Sequence, residues 1–196
     1  MTRTFWIILT LIVVGVGGFV SMLSFGGGDT RRSPAGVSQA LPHEAKSGDG
    51  LLAIPVAGIP RGAIRDSWGD ARGGGTRGHH GTDIMAPGGT PVLAAAPGRI
   101  EKLFQSRLGG TTLYVRSPDG AWTYYYAHLA GYAEGVREGM AVRAGDRLGY
   151  VGDTGDAGPG NYHLHFGLTR MAPGERWWQG RDVNPYPMLA GKASGR

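Results

Sequence analysis

Residues 111–127 read TTLYVRSPDGAWTYYYA, and this stretch decides the fold class. Two runs rich in Thr, Tyr and Val, residues 111–117 and 121–127, flank Pro118-Asp119-Gly120. Runs of β-branched and aromatic residues that are joined by a short glycine-containing turn are typical of a β-hairpin. The stretch therefore predicts two antiparallel strands connected by a tight turn.

The same pattern recurs on both sides of this hairpin. Further strands are predicted at residues 91–95, 99–104, 147–151 and 162–169, with a short one around Val142. After position 50, no window of fifteen residues keeps an apolar period of about 3.6 residues. The best helix candidate, residues 131–138, is short and interrupted by glycine. We therefore expect an all-β domain, an antiparallel two-sheet sandwich or barrel-like fold.

Composition narrows the class of protein further. The chain of 196 residues has 37 glycines and 12 prolines, but these lie between apolar and aromatic runs, which indicates turns rather than disorder. The absence of cysteine excludes disulfides, thiolate metal sites, a cysteine nucleophile and a lipoprotein anchor. A net charge of +5 favours an anionic partner, such as nucleic acid, anionic lipid or an acidic wall polymer, without choosing among them.

The first fifty residues differ in composition from the rest. Residues 5–25 contain no charged side chain, and as a helix they would reach roughly 30 Å, enough to cross a bilayer core. A retained N-terminal membrane anchor at residues 1–25 is the favoured interpretation, and a cleaved signal or a buried core helix are the alternatives. Residues 26–50 are predicted to be a flexible linker, and residues 51–196 the folded domain.

Five of the six histidines lie between positions 79 and 165. His163 and His165 are two residues apart in a predicted strand, so their side chains share one face while Leu164 and Phe166 point to the other. The strand thus presents two imidazoles on one side and apolar groups on the other. A lone histidine, His128, follows the aromatic strand.

A second motif, His79-His80-Gly81-Thr82-Asp83, adds a carboxylate. Its glycine permits a turn that brings a histidine and Asp83 toward one point. Zinc in catalytic sites commonly takes three protein nitrogen or oxygen ligands and keeps the fourth position for water. One Asp and two His would supply that set and leave two imidazoles over. Because the chain has no His-Glu-x-x-His helix, the general base must be one of these spare imidazoles.

These motifs resemble those of the lysostaphin-type, or LytM-like, zinc metallopeptidases, which are peptidoglycan endopeptidases. The resemblance runs from about residue 59 to residue 189. It includes His79-x-Gly81-x-Asp83, residues 89–95, residues 98–100, Tyr126-Ala127-His128-Leu129, residues 142–146, residues 149–155 and His163-Leu164-His165-Phe166.

The resemblance implies a β-rich, two-sheet fold and assigns roles to individual residues. His79, Asp83 and His165 would bind Zn²⁺, and His128 and His163 would be the unligated catalytic histidines, with their division of labour left open. Tyr126 is a candidate substrate-binding donor or, equally, a core residue. Three features depart from the family pattern: His80 beside His79, a longer stretch at residues 156–162, and Gly167 in place of a frequent Glu.

The function that the resemblance implies is zinc-dependent hydrolysis of peptide bonds in peptidoglycan stem peptides or cross-links. Some family members have lost zinc ligands and activate other wall hydrolases, so the alternative is a non-catalytic, wall-binding regulator. This sequence retains every position of the site, which favours catalysis.

The expected location is the bacterial cell envelope, with an inner-membrane anchor and the catalytic domain in the periplasm or outside the cytoplasmic membrane. The expected partners are peptidoglycan and, through the N-terminal helix, the membrane. The basic residues are scattered along the chain, so nucleic acid is not expected. A regulatory protein partner is left open.

Overall fold

The domain that carries the histidine motifs is built almost entirely from short antiparallel strands. The computed structural model describes residues 51–191. The predicted anchor at residues 1–25 and linker at residues 26–50 lie outside the described residues. Within residues 51–191, no helix is both long and apolar enough to span a membrane.

Eleven strands and one short α-helix make up the described part of the chain. The strands are β1 (Ala71–Arg72), β2 (Arg77–Gly78), β3 (Thr82–Met85), β4 (Pro91–Leu93), β5 (Gly98–Ser106), β6 (Gly110–Arg116), β7 (Trp122–Tyr132), β8 (Ala141–Val142), β9 (Arg147–Val151), β10 (His163–Arg170) and β11 (Arg181–Val183). The α-helix is α1 (Tyr186–Ala190), and 3-10 turns cover Arg61–Ala63 and Gly73–Gly75.

Nine of these strands form one curled sheet, and β1 and β2 form a separate ribbon. The sheet runs in the order β11-β10-β7-β6-β5-β8, with β3 added to β10 and with β9 paired to both β7 and β4. The first half of β7 pairs with β10 and its second half pairs with β9. The predicted antiparallel β class is confirmed. In the part of the chain that the structure describes, one continuous nine-stranded sheet and the small β1–β2 ribbon replace the expected sandwich of two sheets, because the long β7 joins both halves of the large sheet.

One face of the sheet packs into the apolar core, and the other face carries the histidines. Leu164 and Phe166 are fully buried in the core, together with Tyr126 from the neighbouring strand. The alternation predicted for β10 is therefore confirmed: its odd-numbered residues, including His163 and His165, lie on the opposite face.

Residues 131–138, the best helix candidate in the sequence, form no helix, in agreement with the all-β prediction, because β7 continues through Tyr132 and pairs there with β9. One element departs from the all-β prediction: the C-terminal segment forms the short helix α1, which begins at Tyr186. Strands β1, β2, β3 and β11 are two to four residues long, too short to show a period in the sequence.

Candidate functional site

Three side chains from distant parts of the sequence converge on one point. His79 Nε2 lies 2.8 Å from His165 Nδ1 and 3.0 Å from Asp83 Oδ1, and His165 Nδ1 lies 3.2 Å from the same oxygen. Ligand atoms about 2.0–2.1 Å from a tetrahedral zinc ion are about 3.4 Å from one another. Two imidazole nitrogens and one carboxylate oxygen at this spacing therefore fit a single zinc ion.

The strand pairing and one glycine create this convergence. Strands β3 and β10 are antiparallel, and their register sets Asp83 directly opposite His165. A Cβ atom on Gly81 would lie 2.6 Å from His165 Cε1 and 2.8 Å from the carbonyl oxygen of Phe166. Only glycine fits so close to the imidazole. Gly81 has no positive φ, so its role is this close approach rather than a special turn.

The segment before β1 holds His79 in one tautomer. His79 Nδ1 lies 2.6 Å from the carbonyl oxygen of Ser67. A carbonyl oxygen can only accept, so Nδ1 donates and Nε2 keeps its lone pair toward Asp83 and His165. The hydroxyl of Ser67 also accepts a hydrogen bond from the backbone N–H of Asp83, at 3.0 Å. One residue thus orients two candidate ligands.

Arg72 orients the carboxylate of Asp83. Its Nη2 atom lies 2.5 Å from Asp83 Oδ2, which leaves Oδ1 to face the imidazoles. Burial alone would raise the pKa of Asp83, but the interactions of its carboxylate with the imidazoles of His165 and His79 outweigh burial and hold the pKa well below its usual range. Asp83 is therefore anionic, as a ligand to a cation must be.

Two more imidazoles stand beside the candidate ligands. His163 Nε2 lies 3.8 Å from Asp83 Oδ1, and its Nδ1 lies 2.8 Å from the carbonyl oxygen of Asn161. The rings of His128 and His163 have centroids 4.8 Å apart, and those of His128 and His165 are 6.0 Å apart. All five residues that the sequence singled out for the site are thus brought together.

His128 sits at a distortion of β7, not at its end. It is the only non-glycine residue among residues 51–191 with a positive φ, 60°. The register between β6 and β7 shifts at this position, and β7 changes partner from β10 to β9 there. A non-glycine residue in this conformation costs about 1–3 kcal/mol and persists only where its surroundings impose it. The bulge turns His128 toward the other histidines.

The surroundings of His128 keep it a neutral base. Its Nδ1 lies 2.7 Å from the carbonyl oxygen of Thr154, so this nitrogen carries the proton. Burial lowers the pKa of His128, and the hydrogen bond to Thr154 offsets part of that shift. Burial also lowers the pKa of His165, against the opposing effect of Asp83. An imidazole that is neutral near pH 7 is able to accept a proton.

The site opens into a cleft whose walls come from three segments. The ribbon of β1 and β2 supplies one wall, the β5–β6 turn a second, and the loop between β9 and β10 a third. Residues lining the cleft besides the histidines and Asp83 include Arg72, Arg77, Leu108, Tyr125, Asp156 and Asn161. An ion pair between Arg77 and Asp156 joins the ribbon to the β9–β10 loop.

His80 takes no part in the cluster. Its side chain is exposed, stacks on Trp68 and pairs with Asp182 at 2.9 Å. The resemblance assigned the ligand role to His79 rather than to its neighbour His80, and the geometry places His79 at the centre of the cluster.

Of the two roles left open for Tyr126, the structure contradicts substrate binding and supports the core residue. Tyr126 is fully buried, and its hydroxyl oxygen accepts a hydrogen bond from the N–H of Ala95 at 2.9 Å. Successive strand residues face opposite sides of a sheet, so the cleft face belongs to Tyr125 instead. The Tyr125 ring lies 5.7 Å from that of His165.

Sequence reasoning missed four residues of the site: Ser67, Arg72, Tyr125 and Thr154. The alternation of β7 could have identified Tyr125, because it shares a face with Ala127, which pairs with His165. No local pattern marks the other three. Each acts through a backbone carbonyl or an ion pair that exists only once the chain has folded.

The domain combines a curled antiparallel sheet with a His-Asp-His centre and two spare imidazoles. This is the organisation of a peptidase domain that holds one metal ion. Residues 77–185 match the sequence model of peptidase family M23. The match covers more than half of the chain. The chain therefore belongs to this family. The resemblance to lysostaphin-type peptidases is confirmed.

Named relatives agree with this assignment. The chain is 38% identical over 133 residues to the L-Ala--D-Glu endopeptidase of Bacillus subtilis, covering 65% of this chain and 39% of that protein. It is 40% identical over 138 residues to the cell division protein DipM of Caulobacter vibrioides, covering 68% of this chain and 21% of that protein. The chain therefore spans two fifths or less of the length of these curated relatives.

A solved structure gives the same result for the fold. The catalytic domain of lysostaphin from Staphylococcus simulans is 30% identical, with a TM-score of 0.53. The similarity covers 64% of this chain and 90% of that domain. The similar region thus includes nearly the whole of that catalytic domain.

Proposed function

We propose that this protein is a zinc-dependent endopeptidase that hydrolyses peptide bonds in peptidoglycan stem peptides or cross-links. The observation that carries the proposal is the convergence of His79, Asp83 and His165, whose ligand atoms lie within 4.8 Å of one another. These three residues would hold the ion. When bound, zinc supplies Lewis acidity to the scissile carbonyl and lowers the pKa of a water molecule to near 7.

The spare imidazoles would then move the protons. The attacking water must lose a proton, and the leaving amine must gain one. His128 and His163 each have Nδ1 tied to a backbone carbonyl, so each would use Nε2 for this transfer. Proton transfer by a positioned group contributes roughly 10²–10⁴-fold to the rate. Kinetic measurements on variants of the two histidines would show which one transfers the proton and which one orients the reacting groups.

The substrate class rests on the relatives. The Bacillus subtilis relative is named an L-Ala--D-Glu endopeptidase, and a relative from Vibrio cholerae is named a peptidoglycan DD-endopeptidase. These names give two different bonds, so the proposal is at the level of peptidoglycan peptides. The corresponding location is the cell envelope, with residues 1–25 as an inner-membrane anchor, residues 26–50 as a linker and residues 51–196 as the peptidase domain.

A second candidate function follows from the relative named a cell division protein. In this interpretation the domain binds the wall and activates a partner hydrolase without cutting. The intact triad and the two anchored imidazoles favour catalysis, since a regulator has no need of an ionised, arginine-oriented carboxylate beside four imidazoles.

The test is wall digestion by the full chain. Purified sacculi are incubated with the protein, with and without a zinc chelator, and the released fragments are identified by mass. Endopeptidase activity predicts new peptide termini that disappear with chelator and return with added zinc. If the protein binds sacculi tightly but releases no fragment at any zinc concentration, the regulatory function is correct instead.

A further inference from the structure

A continuous strip of aromatic rings leads away from the candidate metal site. This aromatic strip consists of Phe104, Tyr114, Tyr125, Trp177 and Trp178. It begins at His165, whose ring lies 5.7 Å from that of Tyr125. The Tyr114 ring lies 4.6 Å from Tyr125 and 4.8 Å from Trp177. Trp177 in turn lies 5.2 Å from both Phe104 and Trp178.

The strip belongs to the same sheet face as the site. Tyr125 pairs with Tyr114 across β6 and β7, and with Gly167 across β7 and β10. Paired residues of an antiparallel sheet share a face, so the strip and His165 lie on one side of the sheet. The tryptophans come from the loop between β10 and β11 and fold against the rings on β5 and β6. The mechanism uses none of these rings.

Gly167 makes room for the strip. A Cβ atom at this position would lie 3.2 Å from Tyr125 Cδ1 and 3.3 Å from Tyr125 Cβ. The ring of Tyr125 therefore lies over the glycine. A longer side chain at position 167, on the same face as His165, would push this ring aside and interrupt the strip where it meets the site.

The outer end of the strip is open to a ligand. Trp178 is 56% exposed and Phe104 is 39% exposed. Arg176 stacks on the Trp178 ring at 5.3 Å and makes no ion pair within residues 51–191. The rings and this cation suit a ligand that has apolar faces and carries negative charge nearby.

The position of the strip argues against an extended peptide as the occupant. A peptide that binds as an added strand needs an exposed sheet edge with unpaired backbone groups. Here β5, β6, β7 and β10 pair with one another beneath the rings, so the backbone hydrogen bonds are already made. The surface offers ring faces instead. Pyranose rings have C–H faces that pack on the negative face of an aromatic ring, with hydroxyl groups left at the rim.

We propose that the aromatic strip binds the saccharide part of a glycan-linked peptide substrate while the peptide lies at the metal site. The proposal rests on the proposed function for its substrate class, and it makes the protein a peptidase that favours peptides still attached to sugar. Arg176 would face the carboxylates near the junction of sugar and peptide.

Paired substrates test the inference. One is a cross-linked peptide dimer that carries its disaccharides, and the other is the same dimer after an amidase has removed them. For the full chain we expect kcat/KM to be about tenfold higher on the sugar-bearing dimer, mainly through KM. Trp178→Leu and Phe104→Leu should each reduce this preference and leave the rate on the sugar-free dimer within about twofold. Trp178→Tyr keeps an aromatic ring and should retain the preference.

Equal kcat/KM on both dimers, or a preference that survives both leucine substitutions, would overturn the inference and leave the proposed function intact. If neither dimer is cut with zinc present, the proposed function fails, and a binding measurement decides the inference alone. In that measurement the indole N–H signals of Trp177 and Trp178 are followed by NMR. Shifts on adding a β-1,4-linked N-acetylglucosamine tetramer support saccharide binding. Shifts only with a free stem tetrapeptide, or with neither probe, contradict it.

Discussion

Three of the four clustered histidines are oriented in the same way. His79, His128 and His163 each place Nδ1 against a backbone carbonyl oxygen, and each therefore presents Nε2. His165 differs, because it presents Nδ1 to Asp83. The backbone thus sets the tautomers of the site, and a substitution can remove one imidazole without changing the orientation of the others.

Replacing His128 by Ala should separate metal binding from catalysis. We expect the variant to bind one zinc per chain and to release wall fragments at least about 10²-fold more slowly, because it loses a proton carrier but no ligand. Zinc content by mass spectrometry and fragment release from sacculi measure the two effects. Full activity in a zinc-loaded variant would show that His128 has no catalytic part.

Gly81 provides a test of close packing against His165. In Gly81→Ala the new methyl group would overlap the imidazole and the Phe166 carbonyl, so we expect the free energy of unfolding to fall by about 1–3 kcal/mol and zinc affinity to weaken. Gly78→Ala is the matched control, since its Cβ would meet nothing closer than 3.9 Å. Chemical denaturation and zinc titration of both variants measure the difference, and equal behaviour would rule out the close approach.

At the scale of elements, the bulge in β7 depends on the loop that follows β9. The Thr154 carbonyl oxygen accepts from His128, while its hydroxyl donates to the carbonyl of Leu129 and accepts from the N–H of Thr111. This one residue ties the loop to Thr111 of β6 and to His128 and Leu129 of β7. It is a positioning residue that acts through His128.

Thr154→Val should therefore lower kcat. Valine keeps the shape of threonine but makes neither side-chain hydrogen bond, so the carbonyl that orients His128 loses its support. We expect kcat to fall by about tenfold or more with zinc content unchanged. Thr154→Ser restores the hydroxyl and should recover most of the rate. If serine and valine reduce kcat equally, the hydrogen bonds of Thr154 are not what orients His128.

Elements with enough residues to show a pattern could be predicted from sequence. The hairpin of β6 and β7 and the alternation of β10 follow from β-branched and aromatic runs, and they place His163 and His165 on the functional face. The bulge could not be predicted, because His128 has a left-handed backbone conformation that tertiary contacts impose. That bulge also lets β7 extend into residues for which a helix was the best local alternative.

On the scale of the whole domain, Arg61 connects the two ends of the described chain. Its guanidinium donates to the carbonyl oxygens of Leu52, Met188 and Leu189. The last two are in α1, near its C-terminus, where a cation also interacts favourably with the helix dipole. The segment between Arg61 and β1 also contains Ser67, which orients His79.

Arg61→Ala should reduce the free energy of unfolding by about 1–3 kcal/mol, because it leaves partly buried carbonyl groups without a donor. Arg65→Ala is the control. Arg65 is exposed and has no hydrogen bond or ion pair within residues 51–191, so its loss should change stability by no more than about 0.5 kcal/mol. Urea denaturation compares the two, and equal destabilisation would contradict the role of Arg61.

The five clustered residues of the site could be predicted from the sequence, but the residues that support them could not. All five clustered residues were identified by motif, since the strand register that unites Asp83 with His165 accompanies the resemblance to a known family. The supporting residues Ser67 and Arg72 were not, because their contacts span 12 and 11 residues through a segment without periodic structure. The role of Tyr126 was left open between the site and the core, and its position in the alternation of β7 directs it into the core.

X-ray absorption at the zinc edge of the purified full chain tests the central claim most directly. We expect one zinc ion per chain, with two imidazole nitrogens and one carboxylate oxygen from the protein at about 2.0–2.2 Å. Asp83→Ala and His165→Ala should each abolish this signal, while His163→Ala should keep it. A protein that binds no zinc when pure, or whose zinc signal survives the loss of Asp83 and of His165, would contradict the convergence of these side chains on one ion.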